Sequence, residues 1–173
     1  MDLKRFIREV PEFPKPGINF YDITTLLKEP TALAEAVRRM AEPFEGMGVG
    51  RVIGTEARGF ILGAPVALHL GAGFVPVRKP GKLPAATYQA SYELEYGDDT
   101  LCIHQDAIPA GSRVLIVDDL LATGGTIGAT VELVEKVEGT LIGISVLIDL
   151  KDLEGCPARR KLDGIKRHAT LVY

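Results

Sequence analysis

A chain of 173 residues, 46% hydrophobic and 25% charged, has the length and composition of one globular domain with a proper core. Its net charge of −3 argues against general nucleic-acid binding, which wants a basic face. The two cysteines, Cys102 and Cys156, make no disulfide framework in a chain this size and fit a reducing, cytoplasmic setting.

The first residues carry no signal-peptide apolar core. Leu3 to Val10 reads as a short amphipathic helix, with Leu3, Phe6, Ile7 and Val10 on one face. Pro11 to Gly17 breaks regular structure, and Ile18 to Ile23 follows as a short extended piece. Residues 31–45 look helical, with Thr31 as a cap and Glu35 with Arg39 as an i,i+4 pair. Val49 to Thr55 is the first core strand and ends at Glu56-Ala57-Arg58-Gly59. The spacing starts the next helix near Leu62, because Pro65 is tolerated only in a first turn, and ends it at Gly71 or Gly73. Phe74 to Val77 is a second buried strand. Phe60 to Val77 has no Asp, Glu, Lys or Arg, but its glycines, Pro65, Pro76 and His69 make a helix, turn and strand a better reading than a membrane span.

Arg78 to Pro84 is a basic Pro/Gly loop. Thr87 to Leu94 and Thr100 to Ile103 read as antiparallel arms joined by Tyr96-Gly97-Asp98-Asp99, a hairpin inserted between parallel strands in the manner of a lid. Val114 to Val117 is a strand buried on both faces, with Asp118 and Asp119 at its end. The loop Ala122-Thr123-Gly124-Gly125-Thr126 follows and opens a helix over Thr126–Val137. Leu141–Ile148 is a further strand, 151–162 is charged and partly helical, and Ile165–Val172 is a last strand. This alternation predicts an α/β fold with a mostly parallel central sheet flanked by helices.

Chemistry concentrates at the strand ends. A glycine-rich turn opening a helix presents backbone N–H groups and the helix dipole to an anion. Carboxylates beside it suit hydroxyl groups or a metal, so phosphate, diol and metal together describe a phosphorylated ribose. No Walker A or Gly-x-Gly-x-x-Gly pattern is present. Arg58 shares the same sheet edge and can hold a pyrophosphate in bidentate fashion. Arg78, Lys79 and Lys82 form an anion clamp of the kind that closes over substrate. Phe20 and Tyr21 offer an aromatic face for a flat base, and Glu95 on the hairpin could contact a base nitrogen or move a proton. His69 reads as a packing residue, and Arg159-Arg160-Lys161 with Lys166-Arg167-His168 reads as a solvated basic face.

The stretch Val114 to Thr126 resembles the phosphoribosyl-pyrophosphate (PRPP) motif of type I phosphoribosyltransferases, in the form found in members that act on adenine. Phe13-Pro14-x-Pro16-Gly17-Ile18-x-Phe20-x-Asp22-Ile23, Glu56 to Phe60, and Arg78 to Pro84 with Tyr92 to Gly97 are similar to further motifs of that family. The resemblance implies one domain over 1–173, with a base-binding hood at 1–30 and a flexible loop and hairpin lid at 79–104. It implies the reaction of adenine with PRPP to give AMP and pyrophosphate, with Mg²⁺ held mainly through PRPP and Asp118 and Asp119 as possible ligands. Ala122, Thr123, Gly124, Gly125 and Thr126 would hold the 5′-phosphate, and Asp118 and Asp119 the ribose hydroxyls. Arg58, Arg78, Lys79 and Lys82 would bind pyrophosphate. Phe20 would stack on the base, residues Ile18, Asn19 and Tyr21 would line its site, and Glu95 would face the imidazole side. A homodimer is implied, with no nucleic-acid or membrane partner. Tyr21 stands where the family often has Arg, and Asn19 where an aliphatic residue is common.

Overall fold

A computed structural model of the protein describes residues 1–94 and 97–173. Nine strands and four α-helices are present among them: β1 (Arg8–Pro11), β2 (Asn19–Asp22), α1 (Thr24–Leu27), α2 (Pro30–Ala41), β3 (Arg51–Thr55), α3 (Arg58–Leu70), β4 (Gly73–Val77), β5 (Thr87–Glu93), β6 (Asp98–His104), β7 (Arg113–Leu121), α4 (Gly125–Lys136), β8 (Thr140–Asp149) and β9 (Arg167–Val172). Five of these form one parallel sheet in the order β4-β3-β7-β8-β9. The chain runs outward one way from β3 to β4 and the other way from β7 through β8 to β9. The strand order therefore reverses between β3 and β7, and the crevice at their carboxyl ends is where an open parallel sheet binds ligands.

Alternation along β7 divides the core. Leu115 and Val117 pack with α2 and α3 through Met40, Leu62, Val66 and Ala67. Val114 and Ile116 face α4 through Ile127, Val131 and Val134. Successive side chains point to opposite faces of a strand, so a continuous apolar run is what a doubly covered strand needs. The antiparallel hairpin β5–β6 packs on the α4 side through Ala90, Leu101 and Ile103. A second antiparallel pair, β1–β2, lies at the N-terminus.

Three local expectations are corrected. Leu3 to Val10 is not one helix: a 3-10 turn over Leu3–Phe6 leads into β1. Only Leu3 and Ile7 of the expected apolar face are buried, because Arg8 to Pro11 is drawn into pairing with β2. α2 starts at Pro30, with Glu29 rather than Thr31 in the capping position. Proline is favoured there because its missing N–H would have had no partner in any case. The Glu35–Arg39 pair forms at 2.7 Å.

α3 begins at Arg58, not Leu62, and carries Pro65 in its interior. An interior proline removes one helical hydrogen bond and clashes with the preceding turn. Here the carbonyl that loses its partner belongs to Ile61, a residue 46% exposed on the outward side of the helix. Burial of Leu62, Gly63, Val66 and Ala67 against the sheet holds both halves of the helix in line. Gly71, in the left-handed region at φ 66°, ends it as expected.

Candidate active site

The floor of the switch-point crevice is the turn from β7 into α4. Gly124 stands in the capping position of α4 at φ 91°, a conformation that favours glycine. A Cβ on Gly124 would lie 3.0–3.2 Å from atoms of Arg159, so the space behind the loop is closed as well. Among the described residues no side-chain hydrogen bond caps α4 at Gly124, which leaves its first N–H groups to an outside partner. Ala122 to Thr126, together with Glu56, Arg58, Asp118 and Asp119, line a cavity of about 250 Å³.

Asp118 and Asp119 sit in the wall of that cavity, 7% and 4% exposed. One Asp118 carboxylate oxygen accepts the backbone N–H of Asp119 at 2.9 Å. Burial, and after it the charge of Asp119, pushes the Asp118 carboxyl well above the ordinary carboxylate range. Burial also raises Asp119, and the nearby Arg58 guanidinium pulls it back. Arg58 Nε stands 3.1 Å from Asp119 Oδ2. The close fit of β3 and α3 makes room for this arrangement: a Cβ on Gly59 would meet Asp118 Oδ1 at 3.0 Å.

The basic loop after β4 lies beside the same wall. Glu56, at the end of β3, accepts the backbone N–H of Lys79 and pairs with Arg78 at 3.1 Å. Burial works to raise the Glu56 carboxyl, but these two donors outweigh it and hold it below its ordinary value. Lys79 Nζ reaches Asp99 of β6 at 2.6 Å, and this contact raises its pKa. The Tyr92 hydroxyl donates to the same carboxylate at 3.2 Å. Arg78 Nε is buried with no hydrogen-bond partner among the described residues.

The aromatic hood forms a second cavity of about 450 Å³, lined by Arg8, Val10, Phe13, Phe20, Asp22 and Arg58 among others. Val10 and Phe20 are opposite each other in the β1–β2 register, as are Arg8 and Asp22, so one face of the hairpin supplies all four. Phe13 meets Phe20 edge-on with ring centres 5.3 Å apart. Arg58 lies with its guanidinium carbon 5.8 Å from the centre of the Phe20 ring. This arginine therefore joins the two cavities.

The structure brings together Asp118, Asp119, Ala122 to Thr126, Arg58, Arg78, Lys79 and Phe20. It places Arg58 against Asp119 and Phe20, where the sequence reading grouped it with the pyrophosphate cations. Lys82 is exposed on the same loop. Asn19 and Tyr21 fall on the opposite face of β2, and their side chains point away from the hood cavity, which leaves only their backbone to line it. Asn19 donates to Glu9 at 3.0 Å, and Tyr21 packs on Tyr173 with ring centres 4.2 Å apart. Ile18 precedes β2 and is exposed. Glu95 lies outside the described residues.

Sequence reasoning missed Arg159. It was grouped with a solvated basic face, yet its side chain is buried and hydrogen-bonded into the loop root. It also missed Glu56 and Asp99 as partners of the basic loop. A strand-end position was the one available signal for Glu56, and neither Asp99 nor Arg159 had a local signal.

A family profile, Phosphoribosyl transferase domain, matches residues 23–167. An adenine phosphoribosyltransferase of Acaryochloris marina is 56% identical over 173 residues, covering 100% of both chains. The crystal structure of adenine phosphoribosyltransferase from Thermoanaerobacter pseudethanolicus superposes with a TM-score of 0.93 at 49% identity, over 99% of this chain and 98% of that one. The Saccharomyces cerevisiae enzyme of the same name, complexed with an imino-altritol bisphosphate and adenine, gives a TM-score of 0.87 at 39% identity, over 97% and 94% of the two chains.

Proposed function

The chain belongs to the adenine phosphoribosyltransferase family, and from that premise we infer how its own residues divide the work of the reaction. It transfers the 5-phosphoribosyl group of PRPP to adenine, giving AMP and pyrophosphate. The observation that carries the division of labour is the junction of two unlike cavities at Arg58: a polar one with an anion-seeking loop and two carboxyls, and an apolar one lined by aromatics.

We assign the 5′-phosphate to Ala122–Thr126, whose open N–H groups lie at a helix N-terminus. Asp118 and Asp119 face the ribose, where they accept its hydroxyls. Displacement at C1′ passes through an oxocarbenium-like state, and carboxylates beside the sugar favour that cation. Burial is the largest cause of their raised pKa values, and hydroxyl donors would offset it. Pyrophosphate goes to Arg78, Lys79 and Lys82. The buried, partnerless Arg78 Nε supports this, since a ligand oxygen would satisfy it. Phe20 stacks on adenine, with Phe13 bracing its edge. Glu95 is assigned to the base by its motif alone.

Mg²⁺ is proposed as the metal. It would be held mainly through PRPP oxygens, with the Asp118 and Asp119 carboxyls at the wall of the same cavity as possible ligands. When bound it neutralises charge developing on the leaving pyrophosphate. A homodimer is also proposed. Leu68 on α3 is 82% exposed and Ile61 46%, an outward apolar face that a second copy would cover. Among the described residues no helix is long and apolar enough to cross a membrane. A cytoplasmic location is proposed from the free cysteines.

The test is a base panel. Purified protein receives PRPP, Mg²⁺ and one of adenine, hypoxanthine, guanine or xanthine, and nucleotide formation is followed. AMP from adenine alone is expected. Protein that binds PRPP yet makes no AMP would sink this reading.

A further inference from the structure

Arg159 lies in a 3-10 turn, Pro157–Leu162, far along the chain from the phosphate loop. Its residue is 3% exposed. Buried arginines are usually explained by one carboxylate partner, and Asp149 supplies that at 2.8 Å from Nη1. The remaining donors do something different. Nε donates to the carbonyl of Ala122 at 2.7 Å, and Nη2 donates to the carbonyls of Leu121 at 2.9 Å and Leu150 at 2.8 Å. Two of these carbonyls are the root of the loop to which the 5′-phosphate was assigned above.

We propose that Arg159 is a positioning residue for the phosphate loop, fixing the direction of the N–H of Thr123 through the carbonyl of Ala122. The inference rests on the assignment of Ala122–Thr126 to the phosphate. The peptide units that follow Leu121 and Ala122 are planar and trans, so each carbonyl and the next residue's N–H point opposite ways. The Leu121 carbonyl also accepts the Leu150 N–H at 3.0 Å, so its direction is shared with the sheet, whereas holding the carbonyl of Ala122 toward Arg159 aims the N–H of Thr123 away from it. Among the described residues nothing else in the chain accepts the N–H of Thr123. The backbone of Arg159 adds a steric stop, since its N and Cα lie 3.2 Å from where a Gly124 Cβ would stand. The guanidinium fork is suited to this task, because its donors lie in one plane with fixed directions, whereas a lysine ammonium is a point charge.

The contribution is made equally to bound substrate and transition state, because the 5′-phosphate does not react. Losing it raises KM for PRPP and leaves kcat nearly unchanged. Wild type, Arg159→Met and Arg159→Lys would be compared by steady-state kinetics and by calorimetric titration with AMP. In both variants KM for PRPP and Kd for AMP should rise roughly tenfold or more, with kcat and the KM for adenine within about twofold. The lysine variant, which keeps a charge opposite Asp149, should retain more of the thermal stability than the methionine variant. An unchanged PRPP KM in a folded variant, a parallel fall in kcat and all affinities, or loss of the fold in both variants would each overturn the proposal. Wild-type protein that binds neither AMP nor PRPP would instead remove the assignment of the loop.

Discussion

At the scale of single residues, Asp118 and Asp119 show stability given up for a site. Two carboxyls share a buried wall, and Arg58 forms its ion pair with Asp119. The folded pKa of Asp118 is raised above its ordinary 3.8. A carboxyl raised in this way contributes stability in full below its unfolded pKa and loses it as pH rises through the folded value. Asp118→Asn should therefore melt with wild type near pH 4 and above it at pH 7.5, by roughly 2–4 °C for each kcal/mol relieved. The same variant should bind PRPP more weakly, because an amide accepts ribose hydroxyls less well than a carboxylate. Thermal melts across pH with PRPP titrations check both halves, and a variant less stable at pH 7.5 would refute the burial argument. The position of this pair was legible in the sequence, since an apolar run followed by two acids marks a strand end. The coupling to Arg58 was not: it depends on where β3 stops relative to β7, which is a matter of register between distant strands.

At the scale of elements, the site depends on how closely α3 lies on β3. A Cβ on Gly54 would stand 2.6 Å from the carbonyl oxygen of Gly59 and 2.9 Å from the Phe74 ring, and one on Gly63 would stand 2.8 Å from the same ring. These glycines let Arg58 at the head of α3 reach Asp119. In Gly54→Ala the backbone oxygen cannot swing away as a side chain could, so α3 must lift. The expected cost is about 1–3 kcal/mol, with a fall in PRPP affinity as Arg58 retreats. Urea unfolding and PRPP titration measure the two, and unchanged values would place the helix less rigidly than its contacts imply. The glycines were visible in sequence but mute, because a close approach needs two surfaces and each glycine reports one. The β7–loop–α4 unit was legible for the opposite reason: its apolar run, small residues and helical period are all local. The direction of the Tyr21 and Asn19 side chains was not legible, because a two-residue period fixes which side chains share a face, not which face meets the cavity. Pairing with β1 decides that.

At the scale of the whole molecule, the cations assigned to pyrophosphate are already engaged. Arg78 is paired with Glu56 just past β3, and Lys79 with Asp99 on the hairpin. Asp99 also accepts from Tyr92, and Tyr92 lies where a Gly125 side chain would be, so the hairpin, the basic loop and the phosphate loop form one connected set. Pyrophosphate must take Lys79 from Asp99, and the exchange costs whatever that ion pair is worth. Lys79 is half-exposed, so the pair is worth little, of the order of 0.2–1 kcal/mol. Asp99→Asn weakens the competitor while keeping an acceptor for Tyr92. Product inhibition by pyrophosphate should therefore tighten by roughly 1.5- to 5-fold, a factor that follows from that energy range. The effect should shrink at high salt, because exposed charges are screened. A pyrophosphate inhibition constant that is unchanged or weaker at low salt would mean that Asp99 orders the loop for its ligand instead of competing with it. These alternatives differ in sign, so one inhibition series at two ionic strengths decides between them.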